Sequence, residues 1–120
     1  MSFLLPGTRL LTEFFNITSV GGLTDITPIN VGSRPFIIYS IVATETGGAT
    51  PDLTVIVYDP KTTTSYYRRN AKAFASAKAT ERDLDEISMR SGMKLRAQVS
   101  SGSASIFVNY LDPNAAGQAS

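Results

Sequence analysis

The chain contains no histidine and no cysteine among its 120 residues. Without histidine it can build neither a Ser-His-Asp triad nor an imidazole–zinc site. Without cysteine it can form neither a disulfide nor a thiolate metal site. It also lacks the Gly-Lys-Ser/Thr and G-x-G-x-x-G contexts of nucleotide phosphate loops. We therefore expect a protein that is not an enzyme and that holds no cofactor and no metal.

The net charge is also small, and the sequence has no long apolar run. The chain has 11 Lys and Arg residues against 10 Asp and Glu residues, a net charge of +1. No overall field therefore favours nucleic acid or an anionic membrane as a partner. No stretch approaches the ~20 apolar residues of a membrane span, and the first residues lack a signal-peptide pattern. We expect a soluble protein with neither a membrane nor a nucleic-acid partner.

The strongest structural pattern lies in the last third of the chain. In residues 93–99 the polar side chains of Lys94, Arg96 and Gln98 alternate with apolar ones, as a half-buried antiparallel strand requires. Residues 104–111 alternate in the same way, and the small-residue segment 100–103 between them predicts a hairpin. The predicted core residues are Met93, Leu95, Val99, Ile106 and Val108, while Phe107 and Leu111 lie on the opposite face.

Other strand signals recur about every ten residues with turns between them, as in an all-β sandwich or barrel. They cover residues 9–16, 24–31, 35–44, 53–58 and 65–70, of which the last two are predicted to form a hairpin. Pro28 marks its segment as a sheet edge, because proline has no N–H to donate. Residues 35–44 are apolar on both faces, which predicts a central strand or one that a partner covers.

Two segments fit more than one type of secondary structure. Residues 71–80 favour a strand or irregular structure slightly over a helix, and residues 81–89 fit a short strand or one helical turn. The predicted fold is all-β, an antiparallel β-sandwich of jelly-roll type with about eight strands. We assign residues 1–7 to an N-terminal arm, 8–112 to the sandwich domain and 113–120 to a flexible C-terminal tail.

Two clusters have the composition of partner-binding sites. The apolar arm residues Phe3, Leu4 and Leu5 either pack on their own domain or dock on a neighbouring subunit. The run Tyr66, Tyr67, Arg68 and Arg69 combines aromatic and guanidinium groups, which suit protein contacts, glycans or single-stranded nucleic acid. Strict alternation along a strand would instead place at least one of the tyrosines in the core.

Carboxylates are the remaining side chains that could support catalysis or bind a metal ion. A glycosidase-like pair could come from the acidic residues, and Asp83, Asp85 and Glu86 could offer hard oxygen ligands to calcium. Their spacing alone is a weak signal, so a solvated charged face is the favoured interpretation.

The order of these segments resembles that of small tailed-bacteriophage virion proteins, in the head-decoration (cement) and head–tail or tail accessory class. The resemblance covers residues 35–111 and is carried by segments 35–44, 54–59, 65–67, 89–99 and 105–111. It is a similarity of strand order and turn composition. Residues 71–86 depart from it, because they are longer and more charged than the expected loop.

This resemblance implies a virion protein that is assembled in the host cytoplasm. Its implied partners are the major capsid protein or other virion proteins, and it would form a homo-oligomer. The implied function is a capsid decoration protein that bridges neighbouring capsid subunits. The alternative is a glycan-binding or tail or neck accessory module that uses Tyr66 and Tyr67 as a stacking platform.

Overall fold

The computed structural model describes residues 9–31 and 34–112. Within these ranges the chain forms β-strands, two short 3₁₀ turns at Ser19–Gly21 and Ile29–Val31, and no α-helix, so none that could cross a membrane. The strands are β1 (Arg9–Thr18), β2 (Thr24–Asp25), β3 (Phe36–Glu45), β4 (Asp52–Asp59), β5 (Thr64–Ala73), β6 (Thr80–Asp83), β7 (Ile87–Met89), β8 (Lys94–Val99) and β9 (Ser103–Asp112).

The strands form two antiparallel sheets that pack face to face. Sheet A has the order β1-β9-β3-β6 with β7 also paired to β3, and sheet B has the order β2-β8-β4-β5. Strands β6 and β7 pair with successive parts of β3, so they are two halves of one interrupted edge strand. Counted as one strand, they leave eight strands in the arrangement of a jelly roll. The predicted all-β sandwich is therefore confirmed.

The predicted hairpin between the last two strands is wrong. Strand β8 pairs with β2 and β4 in sheet B, whereas β9 pairs with β1 and β3 in sheet A. The connecting segment bonds to other elements, since Ser100 N–H donates to Asp52 O at 2.9 Å and Ser19 N–H to Gly102 O at 3.0 Å. Alternation along each strand identifies its buried face but does not identify its pairing partner. The predicted hairpin of β4 and β5 is confirmed.

The core lies between the two inner faces. Each of the five residues that the sequence placed there is buried: Met93, Leu95, Val99, Ile106 and Val108. Tyr110 lies among them, and its ring meets Phe36 edge-on with centroids 6.1 Å apart. The alternating pattern thus gave the correct inner face for both strands, although it gave the wrong partner.

Three segments with less regular sequence patterns contain short strands and turns. In residues 24–31 only Thr24 and Asp25 join a sheet. Beyond them the Thr27 hydroxyl accepts a bond from Leu95 N–H at 2.9 Å and so extends the contact with β8. Residues 71–80 end β5 and then turn, with Phe74 buried, and residues 81–89 contain the short strands β6 and β7.

A buried carboxylate organises the loops at one end of the sandwich. Glu45 is fully buried at the end of β3. Its oxygens accept N–H bonds from Gly47 at 2.6 Å, Gly48 at 2.9 Å, Ala49 at 3.2 Å and Lys78 at 2.8 Å. Burial by itself would raise the pKa of Glu45, but these backbone donors together hold the pKa below its usual value. One ionised side chain therefore holds the β3–β4 loop to the β5–β6 turn.

We expect Glu45→Gln to destabilise the fold most at neutral pH. The amide retains one acceptor oxygen and introduces N–H donors that face the backbone N–H groups. Because the folded pKa of Glu45 is lowered, its contribution is complete above the unfolded pKa and is lost as pH falls through the folded pKa. Urea unfolding at pH 7 and pH 3 should show a smaller difference from wild type at pH 3. The exposed Asp52→Asn variant is the control, and equal effects of both variants at pH 7 would contradict the assignment.

Candidate functional site

A groove opens on one side of the sandwich, between the edge strand β5 of sheet B and the edge strand β6 of sheet A. Its volume is about 700 Å³. The floor consists of buried aliphatic residues of the core, namely Ile41, Ala43, Leu53 and Val55. Core side chains thus approach the surface here, and what covers them determines what this site can do.

Two arginine–carboxylate pairs cross this groove. Arg68 Nη2 lies 3.0 Å from both carboxylate oxygens of Asp83, and Arg69 Nη1 lies 2.6 Å from Oε1 of Glu81. The Arg69 guanidinium also bonds the carbonyls of Lys72 and Ala73 and lies 5.2 Å from the Phe74 ring centroid. Both arginines, which the sequence nominated for partner binding, therefore join the two sheets of their own domain.

A β-bulge explains why two successive arginines reach the same groove. The register pairs Val55 with Arg69 and Ile56 with Tyr67, which leaves Arg68 as an extra residue on β5. A second shift lies near Ala71, whose φ of 49° falls in the left-handed region. The strict alternation predicted for this strand is therefore wrong, because each bulge changes which face the next residue occupies.

The two tyrosines of this cluster are both exposed. Tyr66 is 49% and Tyr67 56% exposed, so the prediction that at least one would be a core residue is wrong. Tyr66 lies opposite the inward-facing Val57, and Tyr67 lies opposite Ile56 on the outer side of β4. The two rings consequently project to opposite faces of sheet B, which argues against a shared stacking platform for a glycan.

The acidic residues of the groove serve as partners of the arginines and of the backbone. The pKa of Glu81 is lowered chiefly by the N–H bond from Ala75 at 2.8 Å, against the opposing effect of burial, and further by Arg69. Asp83 and Asp85 both approach Arg68. In the described ranges no group of three His, Cys, Asp or Glu residues could hold a metal ion.

A second candidate surface is the outer face of sheet A. The sheet register aligns Phe14, Phe107, Val42 and Arg82 in one row across four strands. A parallel row contains Leu10, Leu111 and Ile37. Leu10 and Phe14 are each 48% exposed and Phe107 is 39% exposed, while the two rings pack with centroids 4.8 Å apart. We call the apolar residues of these two rows the apolar face.

The polar rows that alternate with the apolar rows bond among themselves. Thr12 donates to Asn109 at 2.6 Å, and Asn109 donates to Ser40 at 2.9 Å. In the next polar row Ser105 donates to Asn16 at 2.8 Å. The polar side chains of this face thus have partners within the molecule, so the exposed apolar groups are the part that contact with another surface would improve.

The outer face of sheet B has a different character. It presents Lys94, Arg96 and Gln98 from β8, and the Arg96 guanidinium lies 4.6 Å from the ring centroid of Tyr58. The two outer faces are therefore unequal, because sheet B sets the exposed ring of Tyr67 among charged side chains, whereas sheet A exposes the paired rings of Phe14 and Phe107. Such asymmetry favours sheet A as the side that meets a partner.

Of the predicted partner-binding residues, Tyr66, Tyr67, Arg68 and Arg69 lie on β5. Phe3, Leu4 and Leu5 lie outside the described residues, as do residues 1–7 of the arm and 113–120 of the tail. The exposed Phe107 was identified from its alternation, whereas Leu111 on the same side is buried. Leu10 and Phe14 were placed on the first strand but were not recognised as surface residues. Their spacing in a strand was the signal, since both share the face that pairs with Leu111 and Phe107.

We expect Arg69→Met to destabilise the domain by about 1.5–3 kcal/mol, the usual range for losing hydrogen bonds to a charged group. Methionine retains an apolar stem against Phe74 but leaves the carboxylate of Glu81 without its guanidinium. Urea unfolding at pH 7 measures the loss. Arg82→Met, on the exposed outer side of β6, is the matched control, and an equal effect of both substitutions would contradict a bridging role for Arg69.

No protein-family model and no curated protein matches this chain. Among solved structures it is similar to the Drosophila NLP core, described as informative on pentamer formation and histone binding, with 13% identity and a TM-score of 0.48. That match covers 83% of this chain and 95% of the other. The virus-like particle of the prawn Macrobrachium rosenbergii extra small virus matches with 18% identity and a TM-score of 0.36, over 93% of this chain and 84% of the other. Both likenesses are too distant to assign a family or a function.

Proposed function

We propose that the protein is a structural protein of a virus particle. In its finer form the proposal is a decoration protein of a tailed-bacteriophage head, which binds the major capsid protein and joins neighbouring capsid subunits. The observation that carries it is the apolar face of sheet A, where Leu10, Phe14 and Phe107 are 39–48% exposed. The protein would act in the virion, by adhesion.

Adhesion requires apolar area that is still available in the folded subunit. A phenylalanine side chain buries roughly 150–250 Å² when fully covered, so the exposed part of each ring is on the order of 80–100 Å². At about 25 cal/mol per Å², covering one ring would contribute about 2 kcal/mol. Two rings and Leu10 supply a hydrophobic centre of the kind found in stable interfaces, with the bonded polar rows around them.

The alternatives receive less support from the geometry. Jelly rolls occur in capsid proteins and in lectins alike, so the architecture does not choose between them. A glycan platform would need Tyr66 and Tyr67 on one face, but their register places them on opposite faces. Catalysis would need available acidic groups, whereas Asp59, Glu81 and Asp83 each bond a guanidinium of the same chain. We therefore propose a protein without enzymatic activity.

We expect the double variant Phe14→Thr, Phe107→Thr to bind particles at least tenfold more weakly, because about 1.4 kcal/mol corresponds to tenfold in affinity. Threonine keeps the strand propensity while it removes the rings. The measurement is co-sedimentation of the purified chain with particles that were assembled without it. Val20→Thr and Leu23→Thr are matched controls, because both residues are exposed and apolar but lie outside the strands of sheet A, Leu23 directly before β2 of sheet B.

The controls should bind as the unchanged chain does, and circular dichroism should show that every variant keeps its strand content. If the unchanged chain does not co-sediment with particles, the proposed function is wrong. If it binds and the double variant binds equally well, the apolar face is not the surface that carries the adhesion.

A further inference from the structure

The sheet edges of this domain differ in how they are protected. An edge strand presents a row of backbone N–H and C=O groups, and proteins block such rows with short strands, bulges or charged side chains. Within the described ranges, β2 has two residues, and the β6–β7 edge is interrupted between Asp83 and Ile87. Strand β5 carries two register shifts and also Arg68, Arg69 and Lys72. Three of the edges are thus poorly suited to adding another strand.

Strand β1 is neither short nor bulged in the described part of the chain, although it carries the charged residues Arg9 and Glu13. It spans ten residues, and its ten residues pair with β9 in a continuous register without a bulge. It also carries the exposed Leu10 and Phe14. A long, regular edge with apolar side chains is the kind that pairs with another strand.

The outward side chains of β1 indicate which strand would fit. Leu10, Thr12 and Phe14 share the outer face and read apolar, polar, apolar, so the pattern is the same in both directions about Thr12. We propose that β1 pairs antiparallel with β1 of a second copy across a two-fold axis at Thr12. The two sheets A then form one continuous sheet, in an interface where the same patch serves both subunits.

On the outer face of the sheet, this register joins like with like. Leu10 lies opposite the partner subunit's Phe14, and Thr12 lies opposite the partner subunit's Thr12. The polar row of Thr12, Asn109 and Ser40 therefore continues into the same row of the second copy. Each apolar row continues into an apolar row, which extends the apolar face across both subunits. Thr–Thr pairs are among the favourable cross-strand pairs in antiparallel sheets, and the pairing of Leu10 with the partner subunit's Phe14 joins two apolar side chains.

Neighbouring registers fit less well. An axis at Phe14 would place Leu10 opposite the partner subunit's Thr18, so an apolar residue would face a polar one. An axis at Glu13 would place two carboxylates directly opposite each other, which is unfavourable. With the axis at Thr12, Glu13 lies opposite the partner subunit's Leu11 and keeps its bond from Ile29 N–H at 2.9 Å.

The pairing rests on the proposed structural role, since it supplies the homo-oligomer of such a protein, but the two can be tested separately. The chain has no cysteine, so Thr12→Cys introduces a single thiol. Directly opposite residues of antiparallel strands have Cα atoms about 4.5–5.5 Å apart. That distance lies within the roughly 4.4–6.8 Å that a disulfide spans. Mild oxidation of the full chain should give a covalent dimer that a reductant separates.

Asn16→Cys is the control on the same face of the same strand. With the axis at Thr12, the two thiols would lie eight residues apart along the strands, about 26 Å at 3.3 Å per residue. It should give no more dimer than Tyr67→Cys on the protected edge β5. A higher yield from either control than from Thr12→Cys would overturn the proposed register or edge.

Sedimentation of Thr12→Lys provides a second measurement. Two lysines would face each other at the axis, so we expect the dimer affinity to fall about tenfold or more, whereas Asn16→Lys should change it little. A chain that is monomeric at all concentrations would overturn the pairing, and so would a dimer that Thr12→Cys fails to trap and Thr12→Lys fails to weaken. If either of these results is found and the chain still binds particles, the pairing is wrong and the proposed function stands. If the dimer is trapped but binds no particle, the proposed function is wrong and the pairing stands.

Discussion

The register of β9 between β1 and β3 determines both sides of sheet A. Its inward residues Ala104, Ile106, Val108 and Tyr110 are almost completely buried. Its outward residues include Phe107 in the apolar row and Asn109 in the bonded polar row. Because side chains alternate along a strand, a slip of one residue would exchange these two sets. Core burial therefore also fixes which groups the outer face presents.

Much of this organisation could be predicted from the sequence, because a period of two is local information. The inner faces of β8 and β9 followed from their apolar positions, and so did the apolar character of β3. The pairing partners did not follow, since the burial of Leu95 and Ile106 is satisfied whether their strands lie side by side or in opposite sheets. Three residues, 100–102, cross between the sheets here, and the backbone at Ser100 and Gly102 bonds neighbouring elements.

The candidate sites were harder to predict, because they depend on departures from regular strands. A bulge at Arg68 brings two successive arginines into one groove, and no local pattern distinguishes this from simple alternation. Glu45 was not identified from the sequence as a site residue, although its buried carboxylate holds two loops together. The role of each of these side chains is set by partners that are distant in sequence, Glu81 for Arg69 and Lys78 for Glu45.

The edges of the two sheets determine how far this domain can assemble with other copies. A sandwich with open edges can add strands at each of them, and addition at two different edges would generate an unlimited assembly. The bulges and charges of β5 and the interruption between β6 and β7 oppose addition on their side. If β1 is the one edge that pairs, a two-fold contact uses that edge in both copies at once. The assembly then closes as a dimer, and its continuous apolar face remains available for a different surface.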